Sequence, residues 1–110
     1  MGVTDTLDVA PHVRRTLEAL LKQYLCGMTV WAYGSRVKGN ARPNSDLDLV
    51  VFTSPQQKRQ VEELREALDE SDLPLRVDLS VWGEIPKHFQ HEIKEAYMPL
   101  QGNRSEQDGG

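Results

Sequence analysis

Cysteine is nearly absent: Cys26 is the only one in 110 residues. An internal disulfide and a thiolate metal cluster are thereby excluded, and a reducing, cytoplasmic setting is expected. Long apolar runs are missing as well. No stretch approaches the roughly 20 residues of a membrane-spanning helix, so no membrane partner is expected. The N-terminal MGVTDTLDVAPHV has neither the basic start nor the apolar run of a signal peptide. Basic excess is missing too. Thirteen Lys and Arg against seventeen Asp and Glu leave a net charge of −4, which argues against a broad electrostatic surface for nucleic acid or anionic lipid.

What is present suits one domain with one modest core, since a chain of this size buries roughly two-thirds of its unfolded surface. From Asp8 onward, Val13, Leu17, Leu20, Leu21, Tyr24 and Leu25 recur at spacings of three and four. They predict a helix with Asp8 as its cap, Pro11 in its first turn and Gly27 as its stop. Residues 28–33 (MTVWAY) predict a strand. Residues 46–53 (DLDLVVFT) predict a second, whose consecutive Val50, Val51 and Phe52 suit a strand covered on both faces. Between them, Gly39, Asn40, Pro43 and Asn44 make residues 36–45 mostly turn, with room for one helical turn near Arg36. Ser54-Pro55 opens a helix running to about Glu70 along Val61, Leu64, Ala67 and Leu68. Residues 75–82 alternate as a third strand, and Pro86 starts a last helix carrying Phe89, Ile93, Ala96 and Tyr97.

The expected class is α/β (α+β), in the order α-β-β-α-β-α, with a small mixed sheet of three to four strands packed against helices. The crossover helix makes strands two and three parallel, and the short link makes strands one and two antiparallel. Residues 1–7 read as a loose end, 8–98 as the single domain, and 99–110 as a polar, glycine-rich, disordered tail.

The chemistry concentrates in residues 34–48. Asp46 and Asp48 are two apart on a strand, so their side chains leave the same face. Two like charges held that close repel, and Asp is a poor strand former. A divalent cation between them resolves both difficulties, and hard oxygen ligands suit Mg²⁺ or Mn²⁺. Asp78 lies inside the third strand and points away from the apolar set Val77, Leu79 and Val81, towards the face of Arg76 and Ser80. With strands two and three adjacent, Asp78 joins Asp46 and Asp48. Three carboxylates can hold two cations about 3.5–4 Å apart, the arrangement used for in-line displacement at phosphorus. Gly34 permits close approach of an anion to backbone amides, and Ser35 adds a hydroxyl donor. Arg36, Lys38 and Arg42 place three cations within seven residues of an acidic chain, which suits a polyphosphate. Singly, Gly-Ser is a turn, Asp-x-Asp a solvated strand end, and Asp78 a partner for Arg76 or Arg36. Their joint occurrence at these spacings favours a site.

Gly34-Ser35, ten residues, then Asp46-x-Asp48, with Asp78 on a later strand, resembles the signature of the polymerase-β-like nucleotidyltransferase superfamily. The segment Gly39-x-Ala41-Arg42-x-x-Ser45-Asp46-Leu-Asp-Leu resembles its minimal nucleotidyltransferase (MNT) group, small prokaryotic proteins often paired with a HEPN-domain toxin. The resemblance covers about residues 8–98. It implies that Asp46, Asp48 and Asp78 bind two Mg²⁺ or Mn²⁺ ions and that Asp78 helps activate the acceptor hydroxyl. It also implies that Gly34 and Ser35 hold the β- and γ-phosphates of ATP; a phosphate contact for Arg36 extends that reading. The implied activity is AMP transfer to a hydroxyl, a tyrosine of a HEPN toxin, with an antitoxin role. Larger members carry a second, helical domain, so a partner protein or a second copy is expected to complete the site. Two other readings stand beside this one: a non-catalytic antitoxin that neutralises by docking, and nucleotidyl transfer to a small acceptor such as an aminoglycoside.

Other conspicuous residues read as structural. His88 and His91 lie three apart on the last helix with no third zinc ligand nearby, and suit a surface or partner-facing role. Cys26 is expected to be a buried thiol. Trp31 and Trp82 are expected in the core, with a partner-facing position open to Trp82. Lys58, Arg59, Glu62, Glu63, Arg65 and Glu66 form a solvated helix face.

Overall fold

The computed structural model describes Val3 and residues 7–102. Helix α1 spans Pro11–Tyr24, with the proline at its first position, where a missing N–H is harmless. Ala10, not Asp8, is its N-cap, and no side chain caps it. Strand β1 is Thr29–Tyr33, the four-residue helix α2 is Ser35–Lys38, and β2 is Leu47–Phe52. A 3₁₀ turn at Pro55–Gln57 feeds α3, Lys58–Glu70. A capping box between Ser54 and Gln57 marks its start. Strand β3 is Val77–Val81, α4 is Lys87–Glu95, and β4 is Tyr97–Gln101.

The sheet order is β3-β2-β1-β4. Strands β1 and β2 pair antiparallel and β2 and β3 parallel, as the connection lengths require. Strand β4 was not foreseen. It adds antiparallel to the free edge of β1, with Tyr33 opposite Tyr97. Residues 99–101 are therefore strand, not tail, and the last helix stops at Glu95, short of the Ala96 and Tyr97 expected on it. Pro99 conceals the strand in the sequence, but an edge strand tolerates a missing N–H. The loose-end and disordered-tail expectations for residues 1, 2, 4–6 and 103–110 lie outside the described residues. Val3 forms a single parallel bridge to Tyr97.

Strand alternation divides the side chains between two faces. The inner set, Val30, Ala32, Leu47, Leu49, Val51, Leu79 and Met98, packs under Leu17 and Leu21 of α1 and Val61 and Leu64 of α3. The outer set is smaller. Tyr33, Val50 and Ile93 are buried there, with Trp31, Phe52, Trp82, Ile85 and Tyr97 packed around them. The nine-residue α4, with Trp82 and Ile85 ahead of it, covers this face. Trp31 stacks on Tyr97 at 3.8 Å between centroids and meets Phe52 and Trp82 edge-on. Both tryptophans are half-buried at the margin of the outer cluster rather than in the main core. Cys26 is exposed, contrary to expectation. Leu25 takes the buried position where α1 ends, which leaves Cys26 in the turn.

Candidate active site

The site lies where the outer face runs out from under α4. On β2, Asp48, Val50 and Phe52 share that face; Val50 packs with Ile93 of α4, and Asp48 lies towards the edge of that cover. Register then builds a row across three strands. Tyr33 pairs with Asp48, and Asp48 pairs with Asp78. Asp46 and Asp78 are exposed, and Asp48 is half-buried. Burial first, and then the negative charges of Asp78 and Asp46, push the Asp48 carboxyl up to about 6. Burial also raises the Tyr33 phenol, and Asp48 and Asp78 add to that; a hydrogen bond with the Ser80 side chain works against them.

The donor set fits a divalent cation. The oxygens are hard and anionic, and their mutual repulsion is visible in Asp48, where bound positive charge would relieve it. As the side chains stand, no three His, Cys, Asp or Glu residues among those described converge on one ligating point. Asp48 and Asp78 lie on paired strands about 4.8 Å apart, so side-chain rotation can bring those two carboxylates together. Asp46, expected on the strand, lies just ahead of it, since β2 begins at Leu47.

Gly34 is set against Asp48. It ends β1 with φ 82° and ψ −159° and caps α2. A Cβ on Gly34 would fall on the Asp48 carboxylate, 3.3 Å from its Cγ and closer still to Oδ2. Only glycine lets the strand end and the carboxylate approach this closely. Val37 N and Lys38 N both donate to Gly34 O at 3.0 Å, which closes this single helical turn beside the row. Ser35 begins that helix and is half-buried.

Arg36 departs from its expected role as a phosphate contact. It is 7% exposed, and its guanidinium is committed to backbone carbonyls. Nε and Nη2 donate to Ser45 O at 3.1 and 2.9 Å, Nη2 donates to Pro43 O at 3.3 Å, and Nη1 donates to Asp8 O at 2.8 Å. Asp8 N in turn donates to Arg36 O at 2.7 Å. The turn before Asp46 is closed further by Arg42 N donating to Ser45 Oγ and Ser45 N donating to Arg42 O, both at 2.9 Å. Immediately after Asp46, Leu47 N donates to Arg76 O at 2.8 Å. Asp46 thus sits between two anchored backbone groups. Of the three clustered cations, Lys38 and Arg42 are both exposed, and Lys38 lines a cleft that Asp48 also lines.

A cleft of about 190 Å³ opens beside the row, lined by Tyr33, Gly34, Lys38, Asp48, Phe89, Glu92, Ile93 and Ala96. Sequence reasoning overlooked Tyr33 and Glu92. Tyr33 was legible as the strand position preceding Gly34. Glu92 was not, because only the packing of α4 on the sheet brings it here.

Residues 15–101 match the family model described as polymerase beta, nucleotidyltransferase. The chain belongs to the polymerase beta nucleotidyltransferase family. Within that nucleotidyltransferase family, it is 40% identical over 96 residues to a Haemophilus influenzae protein named Probable protein adenylyltransferase MntA, covering 86% of this chain and 84% of that one. Its fold resembles that of a toxin–antitoxin crystal structure with AMP-PNP, at TM-score 0.59 and 20% identity, covering 83% of this chain and 74% of that one. It also resembles a chain in the complex of a tri-AMPylated Shewanella oneidensis HEPN toxin with its MNT antitoxin. There the TM-score is 0.54 at 16% identity, covering 84% of this chain and 71% of that one. The mixed four-stranded sheet with its helices is the nucleotidyltransferase fold of these neighbours. No helix among the described residues is long and apolar enough to cross a membrane.

Proposed function

We propose that this nucleotidyltransferase moves AMP from ATP to a hydroxyl, a tyrosine of a HEPN-domain toxin, and acts as its antitoxin. The observation that carries the reading is the alignment of Asp48 with Asp78 across β2 and β3, with Gly34 seated against the Asp48 carboxylate. The 40% identity to the H. influenzae protein named as an adenylyltransferase supports AMP as the transferred group. The fold shared with the MNT antitoxin of an AMPylated toxin complex supports the partner. ATP as donor and a free, exposed Cys26 both fit the cytoplasm.

Asp46, Asp48 and Asp78 would hold Mg²⁺ or Mn²⁺, two ions by the carboxylate count, and bound metal supplies charge neutralisation at the reacting phosphate. Gly34 and Ser35 orient the β- and γ-phosphates through the start of α2, and Lys38 adds a cation beside them. Asp78, exposed on the far strand, accepts the proton of the attacking hydroxyl. The acceptor oxygen bonds to the α-phosphorus, the bond to the β-phosphate oxygen breaks, and pyrophosphate leaves. Arg36 acts at a distance by holding the turn that delivers Asp46.

The test is incubation with Mg-ATP and the HEPN protein of the same locus, followed by intact mass of that protein. An added AMP is expected with the wild type and none with Asp46→Ala or Asp48→Ala. Toxin neutralised without any adduct, equally by wild type and both variants, would replace catalysis with docking.

A further inference from the structure

The cleft beside the carboxylate row is lined from two directions. Gly34, Lys38 and Asp48 come from α2 with its cap and from β2, and Phe89, Glu92, Ile93 and Ala96 come from α4 and the residue after it. Neither Lys38 nor Glu92 belongs to an ion pair among the described residues. Phe89 remains 36% exposed, its ring edge-on to Tyr33 with 5.9 Å between centroids. The cleft touches Asp48 but neither Asp46 nor Asp78. An acceptor hydroxyl activated at Asp78 approaches from the β3 side, which leaves the β1–α4 side to the donor. Whole sites for drug-sized ligands run to about 300–1,000 Å³, so about 190 Å³ suits part of a nucleotide.

We propose that this cleft seats the nucleobase of the donor, with Phe89 stacking on the base and Glu92 accepting a hydrogen bond from its exocyclic amino group. The polarity of the cleft matches that of a nucleotide. Lys38 would meet the phosphates, Phe89 and Ile93 the ring, and Glu92 its amino edge. The ligand class is a nucleoside triphosphate whose base carries an exocyclic amine. Glu92 and Phe89 are thus specificity-determining residues. This proposal rests on the nucleotidyl-transfer reading.

Calorimetric titration of the full chain in Mg²⁺ tests it with three probes: α,β-methylene ATP, the same compound with purine in place of adenine, and inorganic triphosphate. A hydrogen bond to a carboxylate predicts that the wild type prefers the adenine compound by about tenfold or more. Glu92→Ala should erase that preference, while triphosphate binding is retained or tightened by the loss of a nearby negative charge. Phe89→Leu keeps an apolar side chain against Tyr33, and should weaken both base-bearing probes by about tenfold without affecting triphosphate. Equal wild-type affinities for all three probes would overturn the base seat and leave the transfer reading standing. A preference that survives in Glu92→Ala would also overturn it. A wild type that binds none of the three would refute the transfer reading, and the base seat with it.

Discussion

Gly34→Ala and Gly39→Ala form a matched pair that separates backbone strain from damage to the site. Both glycines hold positive φ, +82° and +86°. Gly39 has ψ 12°, in the left-handed helical basin, where alanine costs about 1–2 kcal/mol. Gly34 has ψ −159°, a region open essentially only to glycine, where the cost is of order 1–3 kcal/mol. Each kcal/mol lowers Tm by about 4–8 °C in a domain of this size. The sites differ in what a Cβ meets. At Gly39 nothing lies within 4 Å; at Gly34 the Cβ falls on the Asp48 carboxylate. That carboxylate ends a rotatable side chain, so it can retreat by roughly 1 Å at little further cost in stability, but a misplacement of that size at a reacting centre costs about 10²-fold in rate. Thermal melts should therefore show both variants destabilised by comparable amounts. The rate of AMP addition to the partner, followed by intact mass, should fall about a hundredfold in Gly34→Ala only. Gly34→Ala working near the wild-type rate would refute the reasoning, as would Gly39→Ala losing as much.

The Asp48 carboxyl, raised from 3.8 to about 6, favours the folded state fully below 3.8 and loses that contribution as pH rises through about 6. Over that window metal-free wild type should lose Tm relative to Asp48→Asn, and added Mg²⁺ should recover the loss; a difference independent of pH would argue against the shift. At pH 7.5 without metal, Asp48→Asn should be at least as stable as wild type, because it removes repulsion from Asp46 and Asp78, while AMP transfer is abolished. Arg36→Lys cannot span three carbonyls with one ammonium and should lose about 2–4 kcal/mol in urea denaturation, whereas exposed Arg42→Ala should stay within about 0.5 kcal/mol. Leu64→Ala, in the fully buried inner layer, should cost about 2–5 kcal/mol by the same measurement.

Much of the architecture was legible because amphipathic periods and turn residues are local properties. The α1 and α3 stripes, the alternation of β3 and the two-sided burial of Val50 and Val51 all appear in the chain order and recur in the structure. The misses share a physical cause. Strand β4 contains a proline and adjoins glycine, so local propensity spoke against it, and its pairing with β1 across the sheet decided it. Cys26 looked like a core thiol by residue type, but the turn after α1 buries Leu25 and leaves Cys26 in solvent.

The candidate site divides along the same line. Chain order alone suggested the candidate chemistry: two carboxylates two apart at the start of a strand, a third on a later strand, and a glycine–serine turn ahead of them. Spacing alone implies a shared face, since side chains alternate along a strand. Which groups meet depends on long-range packing that chain order does not show. Parallel register set Asp78 beside Asp48 and antiparallel register set Tyr33 on the other side. Burial turned Arg36 inward to three carbonyls, because a guanidinium removed from water must satisfy its donors. The packing of α4 on the outer face brought Phe89 and Glu92 to a cleft that chain order places more than forty residues from Asp48. Those are long-range choices, made by the core and the sheet together.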